Sequence, residues 1–187
     1  MRKKILISLL VVVIISIIMF WNRYKSDVYL FYNQLQFEPG FSVDKMVLSK
    51  ASEFVPRISF YYNNNYSIKN LDNYFDKKCK IVLDNNNYIY SEDIKNTIIK
   101  KNKKNDNIII LPSSSKSTII NHKKNEFNIL VSGKLTLSSN NDEALENSKD
   151  EIYYEYTVTF EKKFFFIWKA TYFKTESELI ANLMIEK

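Results

Sequence analysis

The segment EIYYEYTVTFEKKFFFIWKATYFK, Glu151–Lys174, decides the fold because the character of its side chains repeats every second residue. A period of two is that of a β-strand with one buried face, and two such runs joined by a short polar segment form a hairpin. We predict a turn at residues 161–163. The predicted buried faces contain Tyr154, Tyr156, Val158 and Phe160 in the first strand, and Phe164, Phe166, Trp168, Ala170 and Tyr172 in the second.

The second strand of this hairpin is apolar on both faces until Lys169. A strand of that kind is covered on both sides, so we expect it in the middle of a sheet with helices over one face. The polar face of the first strand carries Glu155 and Glu161, whose charges would repel phosphate. The aromatic residues therefore indicate a sheet core, and no direct nucleic-acid binding is predicted.

The N-terminus carries the longest apolar run of the chain, Ile5–Trp21, which is 17 residues without a charge. As a helix it would span roughly 26 Å, which a slightly thin bilayer accepts. No small-residue cleavage pattern follows the run, so we predict an uncleaved transmembrane anchor rather than a signal peptide. The predicted organisation is a cytoplasmic tail (1–4), the anchor (5–21) and a single extracytoplasmic α+β domain (22–187).

Basic residues flank both ends of this run. Arg2, Lys3 and Lys4 together with the amino terminus outweigh Arg23 and Lys25. The positive-inside rule then places the N-terminus in the cytoplasm. We predict a single-pass protein of the cell membrane with its domain on the outer side.

The remaining segments divide into predicted helices and strands. Helical spacing of apolar residues predicts helices over residues 24–37, 42–55, 67–75 and 91–104, with Pro56 disturbing the second, and a short helix in 176–187. NIIIL (107–111) and STIIN (117–121) flank PSSSK, which we predict to be a hairpin turn. In the strand that follows, Gly133 falls in the apolar register, where a bulge or bend would suit it. The predicted class is α+β, with an N-terminal transmembrane helix and a helical layer packed on a curved antiparallel β-sheet.

The residue types that most catalytic and metal sites need are scarce. The chain has one cysteine, Cys79, one histidine, His122, and only 2 glycines, which excludes a glycine-rich nucleotide loop. Lysines beside Cys79 could lower its pKa, but the sequence places no base near it. We predict that the protein is not an enzyme and has no catalytic residues, no metal site and no cofactor.

The net charge of +6 comes mainly from the N-terminal segment, since residues 26–187 hold 22 basic and 21 acidic side chains. Within the domain, residues 69–124 are basic and residues 125–187 are acidic, which could orient a partner or favour self-association. The best candidate for a contact surface is the lysine cluster Lys100, Lys101, Lys103 and Lys104. It could contact anionic lipid, cell-wall polymer or an acidic protein. The alternative interpretation is a solvated helix end.

The chain begins with one anchor, "ILISLLVVVIISIIMFW", and continues with helices and then with the long strands "FNILVSGKLTLSS", "YYEYTVTF" and "FFFIWKATYF". This order of elements resembles the nuclear-transport-factor-2-like, or cystatin-like, fold. The membrane-anchored form is similar to the scaffold subunit of type IV secretion and conjugation channels. That resemblance implies a cone-shaped domain that acts by protein–protein contacts without catalysis.

Two functions follow as hypotheses. The first is a membrane-anchored assembly or scaffold protein that binds protein partners or itself. The alternative is a pocket protein that binds a lipid or another small apolar ligand, with Tyr154, Tyr156, Phe166 and Trp168 lining the pocket.

Overall fold

The computed structural model describes residues 2–37, 42–64, 71–83, 87–94, 108–139, 151–164 and 167–184. The chain divides into two compact units, Met1–Ser42 and Val43–Lys187. The helices are α1 (Arg2–Phe37), α2 (Val43–Ser52), α3 (Phe54–Asn64), α4 (Leu71–Tyr74), the single turn α5 (91–94) and α6 (Glu178–Met184). The strands are β1 (Phe75–Val82), β2 (Tyr88–Tyr90), β3 (Ile108–Lys123), β4 (Glu126–Ser139), β5 (Glu151–Phe164) and β6 (Ile167–Thr175).

The first unit contains α1, which joins the predicted span Ile5–Trp21 and the predicted helix 24–37 into one continuous helix. The apolar side chains of the predicted span point to solvent on every side, from Leu6 at 70% exposed to Met19 at 67%. In the part of the chain that the structure describes, no helix is both long enough and apolar enough to cross a membrane. The membrane-spanning part of the prediction is therefore not confirmed.

The second unit begins with α2 and α3, which correspond to the predicted helix 42–55. Its apolar stripe is confirmed, since Met46, Val47, Ala51, Phe54 and Val55 are all buried. The helix breaks at Glu53 and not at Pro56 as predicted. Pro56 lies in the first turn of α3, where a missing N–H removes no helical hydrogen bond.

The described strands form one mixed sheet in the order β2-β1-β6-β5-β4-β3. The predicted hairpin is confirmed as β5 and β6, and β6 lies centrally between β1 and β5. The prediction of a purely antiparallel sheet is wrong, because β1 pairs parallel to β6. That pairing joins strands far apart in the chain, and their side-chain periods do not reveal direction.

Two predicted turns are strands in the structure. PSSSK lies inside β3, a single strand whose hairpin turn to β4 is at residues 124–125. Pro112 is accommodated because β3 has only β4 as a neighbour among the described strands, and a strand at the edge of a sheet needs fewer N–H donors. Residues 161–163 belong to β5, which continues to Phe164.

The helix predicted over residues 67–75 is shorter than expected, and Cys79 lies in a strand. Only α4 is helical in the described part of that segment, and Phe75 already begins β1. The alternating buried residues Cys79 and Ile81 explain the strand. Of the predicted helix 91–104, α5 is present, and the rest lies outside the described residues.

A β-bulge in β6 changes which residues face the core. Phe160 pairs with Ala170 and Thr159 pairs with Tyr172, so Thr171 has no partner on β5. An extra residue shifts the alternation by one, because successive side chains point to opposite faces. The predicted inward residues Trp168 and Ala170 are buried as expected, but beyond the bulge Phe173, and not Tyr172, is in the core.

The centre of the core is a cluster of aromatic rings around Phe54. Its ring centroid lies 5.4 Å from those of Tyr74 and Tyr156, and 4.6 Å from that of Phe173. The hydroxyls of Tyr156 and Tyr74 both donate to the carbonyl oxygen of Ala51, at 2.7 Å and 3.1 Å. These bonds satisfy a carbonyl at the end of α2, where helical partners are missing. The aromatic residues thus join the helices to the sheet.

Candidate functional site

A cavity of about 880 Å³ lies where β3, β4 and β5 meet the residues that lead into α6. Residues opposite each other on neighbouring strands share a face of the sheet, and they form two rows along its wall. One row is Ser114, Lys134 and Tyr153, and the next is Lys116, Ser132 and Glu155. The lining also contains other residues of these strands and, from the end of β6 and the start of α6, Lys174, Glu176, Ser177, Glu178 and Leu179.

The wall of the cavity contains a close approach between Gly133 and Tyr154. A Cβ atom on Gly133 would collide with the Ser114 carbonyl oxygen and with the Tyr154 ring and hydroxyl. The Tyr154 hydroxyl lies 3.5 Å from that same carbonyl, to which it donates. Burial raises the pKa of Tyr154. The sequence predicted a bulge or bend here. The extra residue is Ser113 on the neighbouring strand, and Gly133 makes room for the tyrosine.

The charges around the cavity are balanced, and several are paired. The Lys134 ammonium lies 2.7 Å from Glu151 and 4.8 Å from the centre of the Tyr153 ring, and the Lys174 ammonium lies 2.9 Å from Glu176. The hydrogen bonds from these ammonium groups to the glutamates raise the pKa of both lysines. Lys116 and Glu155 make no ion pair with any described residue. The site therefore offers both donors and acceptors without a strong net charge.

The structure brings together two of the four residues predicted to line a pocket. Tyr154 and Tyr156 border the cavity. Trp168 does not, since it is buried against Phe127 with ring centroids 5.0 Å apart. Phe166 lies outside the described residues. Sequence reasoning missed Ser114, Ser132 and their neighbours because polar alternate residues of a strand are usually solvated, and only the register shows that they meet.

The other predicted candidates do not form a site in the described part of the chain. The lysine cluster Lys100, Lys101, Lys103 and Lys104 lies outside it. His122 is at the exposed end of β3, where its ring stacks on Phe127 at 4.0 Å. Among the described residues there is no group of three or more histidine, cysteine or acidic side chains that could hold a metal ion.

Cys79 is buried in β1, and burial raises the pKa of its thiol, with the charge of Asp76 adding to the effect. The neighbouring lysines therefore do not activate it, because they lie outside the apolar environment of the thiol. We expect no reaction with a disulfide reagent in the native protein and full reaction after unfolding in urea. As a control, a Cys79→Ala/Ser115→Cys variant has an exposed thiol and should react at once. Rapid reaction of native Cys79 would contradict this prediction.

A cluster of charges near the start of β1 makes the stability of the fold depend on pH in the acidic range. Partial burial alone would raise the pKa of Asp76, but bonds from the Lys78 backbone N–H and the Lys163 ammonium, both at 3.2 Å, lower it below the ordinary value. A lowered pKa stabilises the fold above the unfolded value of about 3.9, and this contribution is lost as the pH falls through the folded value.

We therefore expect that Asp76→Asn makes the loss of stability between about pH 5 and pH 3 less steep. Urea midpoints measured across that range test the prediction. Glu92→Gln, at an exposed position, is the control and should leave the pH profile unchanged. Identical profiles for Asp76→Asn and the native protein would show that Asp76 is not the group responsible.

Comparison with known proteins identifies similarity of fold. No protein-family model and no curated protein matches the chain. Among solved structures, the chain is similar to an NTF-2 like protein of unknown function from Pseudomonas aeruginosa, with 8% identity and a TM-score of 0.49 over 72% of this chain and 97% of that one. It is also similar to an NTF2-like protein with a cystatin-like fold from Novosphingobium aromaticivorans, with 8% identity and a TM-score of 0.45 over 74% and 88% of the two chains.

A third similar structure is a naphthalene 1,2-dioxygenase with indole bound in its active site, with 8% identity and a TM-score of 0.47 over 74% of this chain and 81% of that one. Two of these three structures are described as NTF2-like, which is the name of the predicted resemblance. The prediction that the protein is not an enzyme stays a prediction.

Proposed function

We propose that the protein is a membrane-anchored, non-catalytic assembly protein that binds a partner polypeptide at the free edge of β3. The observation that carries the proposal is the exposure of this strand. Among the described strands β3 has β4 on one side only, and its side chains are exposed from Leu111 to Lys116 and again from Ile120 to Lys123. The backbone groups of an edge strand are ready to pair with an added strand.

The charge of β3 indicates which partner it would accept. Residues 108–125 contain Lys116, Lys123 and Lys124 and no acidic residue. Pairing β3 with the same strand of a second copy would bring like charges together, which is unfavourable across a sheet. Pro112 and the extra residue Ser113 interrupt the first part of the edge, and Ile120 is a second extra residue in its last part. Unlike Pro112, Ile120 keeps a backbone N–H that can donate to an added strand. The proposed docking segment is Ser117–Lys123, which contains no proline, and its partner is an extended segment with acidic side chains.

Membrane attachment through α1 is the second part of the proposal. Its support is the exposed apolar surface of the predicted span, because water is an unfavourable environment for a helix that is apolar all round. Basic residues at its start favour an N-terminus in the cytoplasm and a domain on the outer side. Alkaline extraction and protease protection of intact cells test this part. A protein that is extracted by carbonate, or whose domain is protected in intact cells, would overturn it.

The partner site is tested by photo-crosslinking in cells with a photoreactive residue in place of Ile120, which is 56% exposed on β3. The control position is Tyr153 on β5, which is 69% exposed and is not at the edge. We expect specific protein crosslinks at Ile120 only, and their loss when Lys123 and Lys124 are replaced by glutamate. Crosslinks of equal pattern at both positions, or none at Ile120 in a folded protein, would refute the β3 site.

The machine to which the protein belongs is proposed from the resemblance described above, which points to a conjugation or type IV secretion channel. Channel subunits among the crosslinked proteins would support it, and an unrelated set of membrane proteins would refute it. The lysine cluster Lys100, Lys101, Lys103 and Lys104 stays a predicted contact surface. Its replacement by glutamate is expected to abolish recovery of the partner without unfolding the domain.

The alternative function, binding of an apolar ligand, has weaker support. Two of the aromatic side chains proposed to line that pocket, Tyr156 and Trp168, are engaged in packing with Phe54 and Phe127. The 880 Å³ cavity has lysine and glutamate side chains in its lining, and covering them with an apolar molecule would be costly. A lipid that co-purifies with the full chain would favour this alternative.

A further inference from the structure

The cavity beside Tyr154 has the composition of a site for a polar, uncharged molecule. Its lining includes Lys116, Lys134 and Lys174 together with Glu155, Glu176 and Glu178, so the formal charges cancel. Two of the lysines already have a carboxylate within 3 Å, at 2.7 Å for Lys134 and 2.9 Å for Lys174. A phosphate polymer would meet repelling carboxylates here, and a cation would meet repelling ammonium groups.

Hydroxyl groups are the most frequent polar groups of the wall. The side-chain hydroxyls of Ser114, Ser132 and Thr157 make no hydrogen bond with any described residue. Ser132 lies between Lys116 and Glu155 in one cross-strand row, so a donor, a hydroxyl and an acceptor follow each other about 4.8 Å apart. A ligand that carries hydroxyl groups at similar intervals could use all three, because each hydroxyl both donates and accepts.

An aromatic face stands beside these groups. The Tyr153 side chain is 69% exposed and lies in the neighbouring row, opposite Lys134. The Lys134 ammonium lies over one face of the ring, 4.8 Å from its centre, so a ligand would pack on the other face. The C–H face of a sugar ring packs on such a tyrosine in the same way as other flat apolar surfaces do, while the hydroxyls at the ring edge remain free to bond. The cavity volume of about 880 Å³ is large enough for a short oligosaccharide.

A peptide is the main competing ligand, and the position of the cavity argues against it. Extended peptides usually bind by pairing their backbone with a free strand edge. The wall of this cavity crosses three strands, and the backbones of β4 and β5 are already paired on both sides. Side-chain hydroxyls, not backbone groups, are what the wall offers. We propose that this cavity is a binding site for a neutral oligosaccharide, separate from the protein-docking edge of β3.

The test is isothermal titration calorimetry of the full chain, kept in a detergent without a sugar headgroup, with cellotriose, maltotriose and triacetylchitotriose as probes. We expect saturable binding of at least one probe. The Ser132→Ala/Glu155→Ala variant should weaken it by roughly tenfold or more, because it removes two hydrogen bonds. Thr159→Ala, on the same face of β5 but outside the cavity lining, is the matched control and should bind as the native protein does.

Each outcome decides the proposal. Binding that falls in the double variant and not in the control supports it, provided that both variants unfold at the same urea concentration as the native protein. No binding of any probe at millimolar concentration overturns it, as does binding that the double variant leaves unchanged. Binding of an uncharged Ser/Thr-rich peptide in place of all three sugars also overturns it. None of these results depends on the partner of β3, so the two proposals stand or fall separately.

Discussion

Replacement of Phe54 by alanine is expected to destabilise the domain by about 3–5 kcal/mol, the usual range for a buried phenylalanine. Phe54 is fully buried, and its ring contacts four other aromatic rings, those of Tyr74, Phe75, Tyr156 and Phe173. Its loss leaves a hole where α3 meets the sheet. Since domains of this size are stable by only about 5–15 kcal/mol, a large part of the variant should be unfolded under mild denaturing conditions.

The measurement is urea unfolding of the full chain followed by the fluorescence of Trp168, which is buried in the native state. Phe164→Ala is the chemically matched control. That side chain is 55% exposed at the end of β5, and its replacement should cost about 1 kcal/mol or less. Equal losses of stability for the two variants would mean that the ring cluster around Phe54 is not the centre of the core.

Replacement of Gly133 by alanine is expected to have the second-largest effect, a loss of about 2–3 kcal/mol from overpacking. The added methyl group would collide with the Ser114 carbonyl oxygen and with the Tyr154 side chain. Tyr154 is buried, so its side chain cannot move away without losing its buried position. The Ser114 carbonyl cannot move either, because it belongs to the paired backbone of β3. The variant should also lose the shape of the proposed oligosaccharide site.

A double-mutant cycle tests the cause of this loss. Tyr154→Ala removes one of the two colliding groups, so Gly133→Ala should cost less in that background than in the native protein. The coupling free energy between the two substitutions should be clearly smaller than the whole loss of stability caused by Gly133→Ala, because the Ser114 carbonyl oxygen remains. Strict additivity would show that Tyr154 is not what excludes a side chain at position 133. Ser132→Ala, next along β4, is the control and should change stability little.

The strands of the fold were predictable where one physical rule dominated. The alternation of Tyr154, Tyr156, Val158 and Phe160 identified a strand and its buried face, because burial of one face leaves a period of two. The stripe of apolar residues through α2 and α3 likewise identified the buried face of the helices. Rules of this kind depend only on neighbours along the chain.

The errors arose where the outcome depended on contacts between distant segments. PSSSK has turn residues, yet pairing with β4 holds it extended. Phe75 continues a helical pattern, yet it starts a strand because β1 is completed by β6, almost a hundred residues later. Similarly, Tyr172 was assigned to the core because the bulge at Thr171 has no signature of its own. At that point the side chains of β6 change the face of the sheet to which they point, and they do so only because Phe160 pairs with Ala170.

The candidate site was predictable only in part. Large aromatic residues such as Tyr154 and Tyr156 are recognisable as pocket or core residues from their type. Their polar partners are not, since a serine or lysine on the outer face of a strand is the ordinary solvated case. Ser114, Ser132 and Glu155 become a set only through the register of three strands, which no local pattern specifies.

The bulge in β6 also determines where the length of this chain can vary. Ala170, upstream of Thr171, pairs with β5 and with β1, and Tyr172, downstream of it, also pairs with both strands. Deleting Thr171 would restore regular alternation but turn one half of the strand inside out, carrying either Trp168 and Ala170 or Phe173 into solvent. The residue count between Ala170 and Phe173 is therefore fixed by the buried residues on either side of the bulge, whereas a change of length in a connection between strands would leave this register intact.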